Sequence, residues 1–249
     1  KAELYAKSSI RGIASLGVRS LFVQVVAVMA TFALTVFLKP AEYGVFFAVS
    51  ALINFLVYFS DIGLAAALIQ RKEKAPEYET APSPIQQILV LTLSFFSFLL
   101  APAVARFYHL GSEGKFLIQA LIISFFLSSL KTIPTILLER KLRFNKLVIP
   151  QILETISFYT IADFLAWKGW GISCFSWAVL VRGVVGLVAI YLLQPYFPRL
   201  RIVKKAAKSL IHIGVFFQAN SILALLKDDL MVLFISKVLP MTQVGYIGW

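Results

Sequence analysis

Seven stretches of about twenty mostly apolar residues run through the chain, at 17–38, 43–69, 85–105, 116–138, 147–167, 170–193 and 214–238. Runs of that length match the hydrocarbon thickness of a bilayer when wound as α-helix. Lipid offers no partner to loose backbone groups, so a spanning segment must be a helix or part of a closed barrel. The alternating ten-residue strands of a barrel are absent. The chain therefore reads as an all-α integral membrane protein. Composition agrees: 59% of residues are hydrophobic and only 14% are charged, against about a quarter charged in soluble domains.

The basic residues order the spans. Clusters at 1–19, 71–74, 140–146 and 199–208 fall on one side. The opposite loops carry only Lys39, Arg106, Lys115, Lys168 and Lys237. The basic side is expected to be cytoplasmic, which places the N-terminus inside a bacterial or archaeal inner membrane. The formal net charge of +12 fits an anionic inner leaflet better than nucleic acid, given the hydropathy. The single cysteine, Cys174, allows no internal disulfide, and the two histidines, His109 and His212, are not spaced as metal ligands. No cofactor is expected. The chain begins at Lys1 and ends at Trp249 directly after "QVGYIG", which reads as an excised piece of a longer protein.

Residues 1–193 form the expected N-terminal bundle. In 194–213, "QPYFPRLRIVKKAAKSLIHI", Pro195 and Pro198 end the sixth helix. Apolar residues then alternate with basic ones, as in an amphipathic helix on the inner surface, here also a linker. Residues 214–249 begin a second, truncated bundle.

Charged side chains deep in a span are rare and usually face a bundle interior or a wet cavity. Asp61, Lys131, Glu154, Arg182, Lys227, Asp228 and Asp229 all fall in the inner or middle part of a span, whereas Asp163 lies near an end. Glu154 and Arg182 sit at matching depth on consecutive spans joined by a short turn. They read as a fixed ion pair, or as a cargo contact (Arg182) tuned by its neighbour. In the seventh span, Asn220 and Lys227 share a face, with Asp228 beside them and Asp229 on a stripe further round. That helix either satisfies its own Lys–Asp cluster or lines a translocation path. Asp61, in Ser60-Asp61-Ile62-Gly63, is expected to cap the second half of a broken helix. Pro134 and Pro150 mark further kinks.

The stretch "FLKPAEYGVFFAVSALINFLVYFSDIGLAAALIQRKE", Phe37 to Glu73, resembles the second-span region of Wzx-like polysaccharide flippases. Pro40, Glu42, Tyr43, Gly44, Phe59 to Leu64 and Ala67 to Arg71 carry the likeness. "LLERKLRFNKL", Leu137 to Leu147, is similar to the basic turn after their fourth span. "DDLMVLFISKVLPMTQVGYIG" resembles the start of their second lobe, although Lys227-Asp228-Asp229 and Ile235-Ser236 stand where that family often has Asn-x-x-Asp and Ile-Gly. The resemblance implies the multidrug/oligosaccharidyl-lipid/polysaccharide exporter fold, with this chain supplying the six-helix N-terminal bundle and the first helix of the second lobe. It implies flipping of an undecaprenyl-diphosphate-linked oligosaccharide from inner to outer leaflet by alternating access, for O-antigen, capsule or exopolysaccharide. Coupling to H⁺ or Na⁺ comes with it, as do a polysaccharide polymerase and glycosyltransferases as partners. Lys131, Arg182, Lys227 and Asn220 are then candidates for binding cargo. Asp61, Glu154, Asp228 and Asp229 are candidates for ion coupling or for holding those cations. A drug exporter of the same superfamily shares this pattern. A membrane enzyme fits less well, because the short loops on the sparsely charged side offer Glu42, His109 and Glu113 without a convergent set.

Overall fold

The computed structural model describes residues 2–60, 82–141, 143–196 and 229–248. The long elements are α1 (Ala2–Phe37), α2 (Pro40–Ser60), α3 (Pro82–Phe107), α4 (Gly111–Arg140), α5 (Phe144–Trp167) and α6 (Ser173–Leu193). A further helix, α7, occupies 229–238, and the short α8 spans Met241–Gly248. Each of α1 to α6 contains a window long and apolar enough to cross a bilayer. Their packing also suits lipid rather than water. Leu21, Val25, Val28, Phe32 and Val36 form an outward stripe along α1, and Leu91, Phe95, Phe96 and Leu99 form one along α3. Only 6% of the α1 window is buried against protein.

The expected spans match these helices closely at most ends. The main difference is α1, which starts at Ala2 rather than 17. Its 36 residues extend about 54 Å, well beyond a hydrocarbon layer of about 30 Å. A hydropathy window sees only the apolar part of a continuous helix. The seventh span is described from Asp229 onward, and the 194–213 linker lies almost wholly outside the described residues. A separate α8 was not expected. It forms because Pro240 interrupts the preceding helix and then starts a new one, its carbonyl accepting from the Gln243 and Val244 amides at 2.9 and 3.2 Å.

Local chemistry sets several helix ends. At α2, Lys39 takes the cap position, Pro40 the first helical position and Glu42 the third. Proline suits the first position because its missing N–H has no helical partner there. The Glu42 carboxylate reaches back to accept the Lys39 amide at 2.7 Å, half of a capping box. Between α5 and α6 the chain reverses through Gly169 at φ +78°, a conformation that costs glycine little.

Short turns make neighbours antiparallel, so two faces can be defined: a first face, where α1 begins, and a second face, where α1 ends. The α4–α5 turn lies on the first face. The starts of α2, α4 and α6 lie on the second. Most of the core sits in that second-face half, where Tyr43 meets Phe175 edge-on at 5.5 Å and Phe46 stacks on Phe175 at 4.2 Å. Toward the first face smaller apolar clusters, Leu138 with Leu147 and Ile190 and Ile133 with Ile136, are joined by polar contacts. Gln87 of α3 donates to the Ser129 carbonyl of α4 at 3.0 Å. Pro134 cannot donate to the Leu130 carbonyl one turn earlier, and the Tyr191 hydroxyl of α6 donates to that oxygen at 3.3 Å.

α8 closes the second face. Gly44 of α2 and Gly245 of α8 bring two backbones together: a Cβ on Gly44 would overlap the Met241 carbonyl, and one on Gly245 the Pro40 carbonyl. Beside this contact, Lys237 donates to the Phe107 carbonyl at 2.7 Å and lies 3.8 Å from the centre of the Phe107 ring.

Candidate functional site: a charge node beside a polar cavity

Lys131, Glu154 and Arg182 come together from α4, α5 and α6. Glu154 lies about 15 Å along α5 from its first residue and about 20 Å from its last. The Lys131 Nζ donates to Glu154 Oε1 at 2.6 Å, and Arg182 Nε approaches Oε2 at 3.7 Å. The expected Glu154–Arg182 pair is therefore part of a triad in which Lys131 is the closer partner. Lys131 and Glu154 are largely buried, at 15% and 14% side-chain exposure, whereas Arg182 is 52% exposed. Its guanidinium lies 5.8 Å from the Phe158 ring centre, within cation–π range. With both basic groups charged, the node has two positive charges against one negative. The excess is local to the triad: Arg182 is half exposed, and a second carboxylate, Glu139, lines the adjoining cavity.

Glu154 can reach this position because α6 has no side chain at Gly186. A Cβ there would collide with Oε1, Cδ and Cγ of Glu154. One turn earlier, Gly183 admits Leu127 and Ser124 of α4 to 3.1 and 3.2 Å from where its Cβ would be. The Arg182-Gly183-x-x-Gly186 run thus carries a cation and the space for that cation's partner on one helix. The sequence signal for this arrangement is the spacing of glycines beside an intramembrane charge.

A cavity of about 350 Å³ adjoins the node on the first-face side. Its lining is mixed: Ser128, Lys131, Thr132 and Thr135 of α4 and Gln151 and Glu154 of α5 are polar, and Ile136, Leu147 and Ile190 are apolar. Pro150 also faces it, and Glu139 lies toward its first-face end. Hydroxyls and an amide can hydrogen-bond sugars or phosphate oxygens, and Lys131 supplies charge. Among the described residues no group of three or more His, Cys, Asp or Glu could hold a metal.

Other candidates sit elsewhere. Asp229 of α7 is 8% exposed and accepts from the Asn54 amide of α2 at 3.1 Å. It belongs to the α2–α7 contact, not to the triad, and Asn54 was missed because an amide in an apolar run gives no hydropathy signal. Asp163 lies near the second-face end of α5, and its Oδ1 is buried without a hydrogen-bond partner among the described residues. Asp61, Asn220, Lys227 and Asp228 lie outside the described residues.

Antiparallel apolar helices, three of them brought together by intramembrane charges and glycines, define a multi-pass membrane protein. A solved structure described as the inward-facing conformation of a multidrug resistance MATE family transporter of the MOP superfamily superposes with a TM-score of 0.66 at 19% identity. The match covers 95% of this chain and 60% of that one. The model of a family described as polysaccharide biosynthesis protein matches residues 33–248. The chain belongs to that family. No curated protein matches it.

Proposed function

We propose that the protein moves a lipid-linked oligosaccharide across the membrane by alternating access, with Lys131 and Arg182 receiving the diphosphate. The observation that carries this reading is the triad's two cations against one carboxylate beside a cavity in which hydroxyls mix with apolar side chains. A diphosphate bearing sugars cannot cross hydrocarbon unaided. Two cations replace part of its hydration, and Ser128, Thr132, Thr135 and Gln151 serve oxygen atoms around it. The family's association with polysaccharide biosynthesis supports an oligosaccharide cargo, and the MATE-like fold supports a transporter rather than an enzyme.

The basic loops orient the N-terminus to the cytoplasm of an inner membrane, so the cavity faces the leaflet where such cargo is assembled. Residues 1–193 serve as the first lobe, 194–213 as a surface linker and 214–249 as the start of the second lobe. A polymerase and glycosyltransferases are the proposed working partners, and H⁺ or Na⁺ the coupling ion. Asp229 is a described carboxylate suited to that coupling. Asp61 and Asp228 share the role by sequence, as Lys227 and Asn220 share cargo binding.

The test is export of lipid-linked glycan by the full-length protein. Lys131→Gln and Arg182→Gln should each reduce export at least about tenfold, the size of one lost charge-assisted hydrogen bond, while membrane insertion stays normal. Undiminished export by both variants would remove the triad from the cargo path. A drug exporter is the second reading, favoured by the buried Asp229 and by the Asp163 oxygen that has no hydrogen-bond partner among the described residues. It predicts efflux of organic cations that survives both Lys131→Gln and Arg182→Gln.

A further inference from the structure

We infer that Glu154 is a resident anion that occupies the cargo's place between Lys131 and Arg182 and is displaced when the diphosphate binds, and that Gly186 is the positioning residue that seats it. The inference rests on the proposed function and adds to it a built-in competitor.

Three observations support it. The Glu154 carboxylate bridges two cations from different helices, Oε1 toward Lys131 and Oε2 toward Arg182. A diphosphate offers that same arrangement, with oxygens on one group for two cations. The seat also depends on a missing side chain, since any Cβ at Gly186 would intrude on the carboxylate itself. Finally, the bridge is incomplete: Arg182 is half exposed and beyond hydrogen-bond distance at 3.7 Å, so its donors remain available to an incoming anion.

Charge explains why exchange follows binding. Without an anion, two cations converging on one carboxylate position within the bilayer repel each other. Glu154 relieves this in the empty protein. A diphosphate carries at least two negative charges and satisfies both cations. Glu154 would then face a like charge at contact distance and must leave. Its departure breaks the Lys131–Glu154 hydrogen bond between α5 and α4 and the looser approach to Arg182 of α6. Occupancy of the site is thereby linked to helix packing, which alternating access requires of its cargo.

A merely structural ion triad predicts the opposite response to mutation. Removing Glu154 would then loosen the protein and weaken any binding nearby. As a competitor, its removal tightens binding. The experiment uses full-length protein in lipid nanodiscs and titrates farnesyl diphosphate as probe, with farnesol as the uncharged control. Lys131→Gln and Arg182→Gln report on the cargo site, and Glu154→Gln and Gly186→Ala on the competitor. Gly186→Ala keeps every charge and only closes the seat. Thermal melts show which variants are folded, and either competitor variant alone suffices.

The expected result is weaker farnesyl diphosphate binding in the two cation variants and binding about tenfold tighter in Glu154→Gln and Gly186→Ala, with farnesol unaffected throughout. Weaker binding in the cation variants with unchanged or weaker binding in the competitor variants would overturn the resident anion while leaving the proposed function standing. No response in the cation variants would overturn both.

Discussion

At the scale of single residues, the membrane interior amplifies small omissions. Pro134 removes one backbone donor from α4, and one hydroxyl, that of Tyr191, meets the carbonyl left over. In lipid no water replaces it. Tyr191→Phe should therefore lower the thermal midpoint modestly, by an interaction worth about 0.6–1 kcal/mol in a helical membrane protein. Farnesyl diphosphate affinity should not change, because the hydroxyl serves helix packing and not the triad. A midpoint equal to wild type would show that α4 meets that carbonyl another way. Depth along a helix made the Glu154–Arg182 neighbourhood legible in sequence, since consecutive antiparallel spans share a depth scale. Lys131 as the nearer partner was not legible. It comes from α4, two spans before Arg182, and rise per residue gives depth but not the direction in which a third helix points its side chains.

At the scale of elements, lengths and order were readable because hydropathy reports the solvent around a helix. What it could not report is contact between helices. The α2–α8 approach depends on Gly44 and Gly245 at the second face, and neither glycine differs in hydropathy from alanine enough to matter. Here the two backbones touch, so a methyl group has nowhere to go. Gly245→Ala should part α8 from α2 at the second face. Spin labels at the exposed Ser112 and Thr242, in a protein with Cys174 replaced by alanine, should report a longer and broader distance in Gly245→Ala than in the parent. An unchanged distance distribution would show that the contact is not what holds the second face closed. Lys237, anchored on the last residue of α3, should keep part of the closure in that variant, so the distance is expected to broaden rather than jump.

At the scale of the whole molecule, the two faces differ in kind. The second face carries the aromatic packing and the α2–α8 glycine contact, and beside them a cavity of about 570 Å³ lined by Arg106, His109, Ser112 and Lys115. The first face carries a polar cavity leading to the triad. The expectation that awkward charges converge held for Lys131, Glu154 and Arg182. It did not hold for Asp229, which Asn54 takes into the α2–α7 contact. Sequence could count intramembrane charges, but only packing could sort them into separate groups.

The central claim, that the triad and its cavity receive an anionic lipid headgroup, is tested most directly by photolabelling. A prenyl diphosphate with its reactive group next to the phosphates would be cross-linked to the full-length protein in membranes. The labelled peptides are predicted to cover 128–139 of α4 and 147–154 of α5, with labelling suppressed by excess unlabelled prenyl diphosphate. Competed labelling that spares both segments and falls elsewhere would contradict the account.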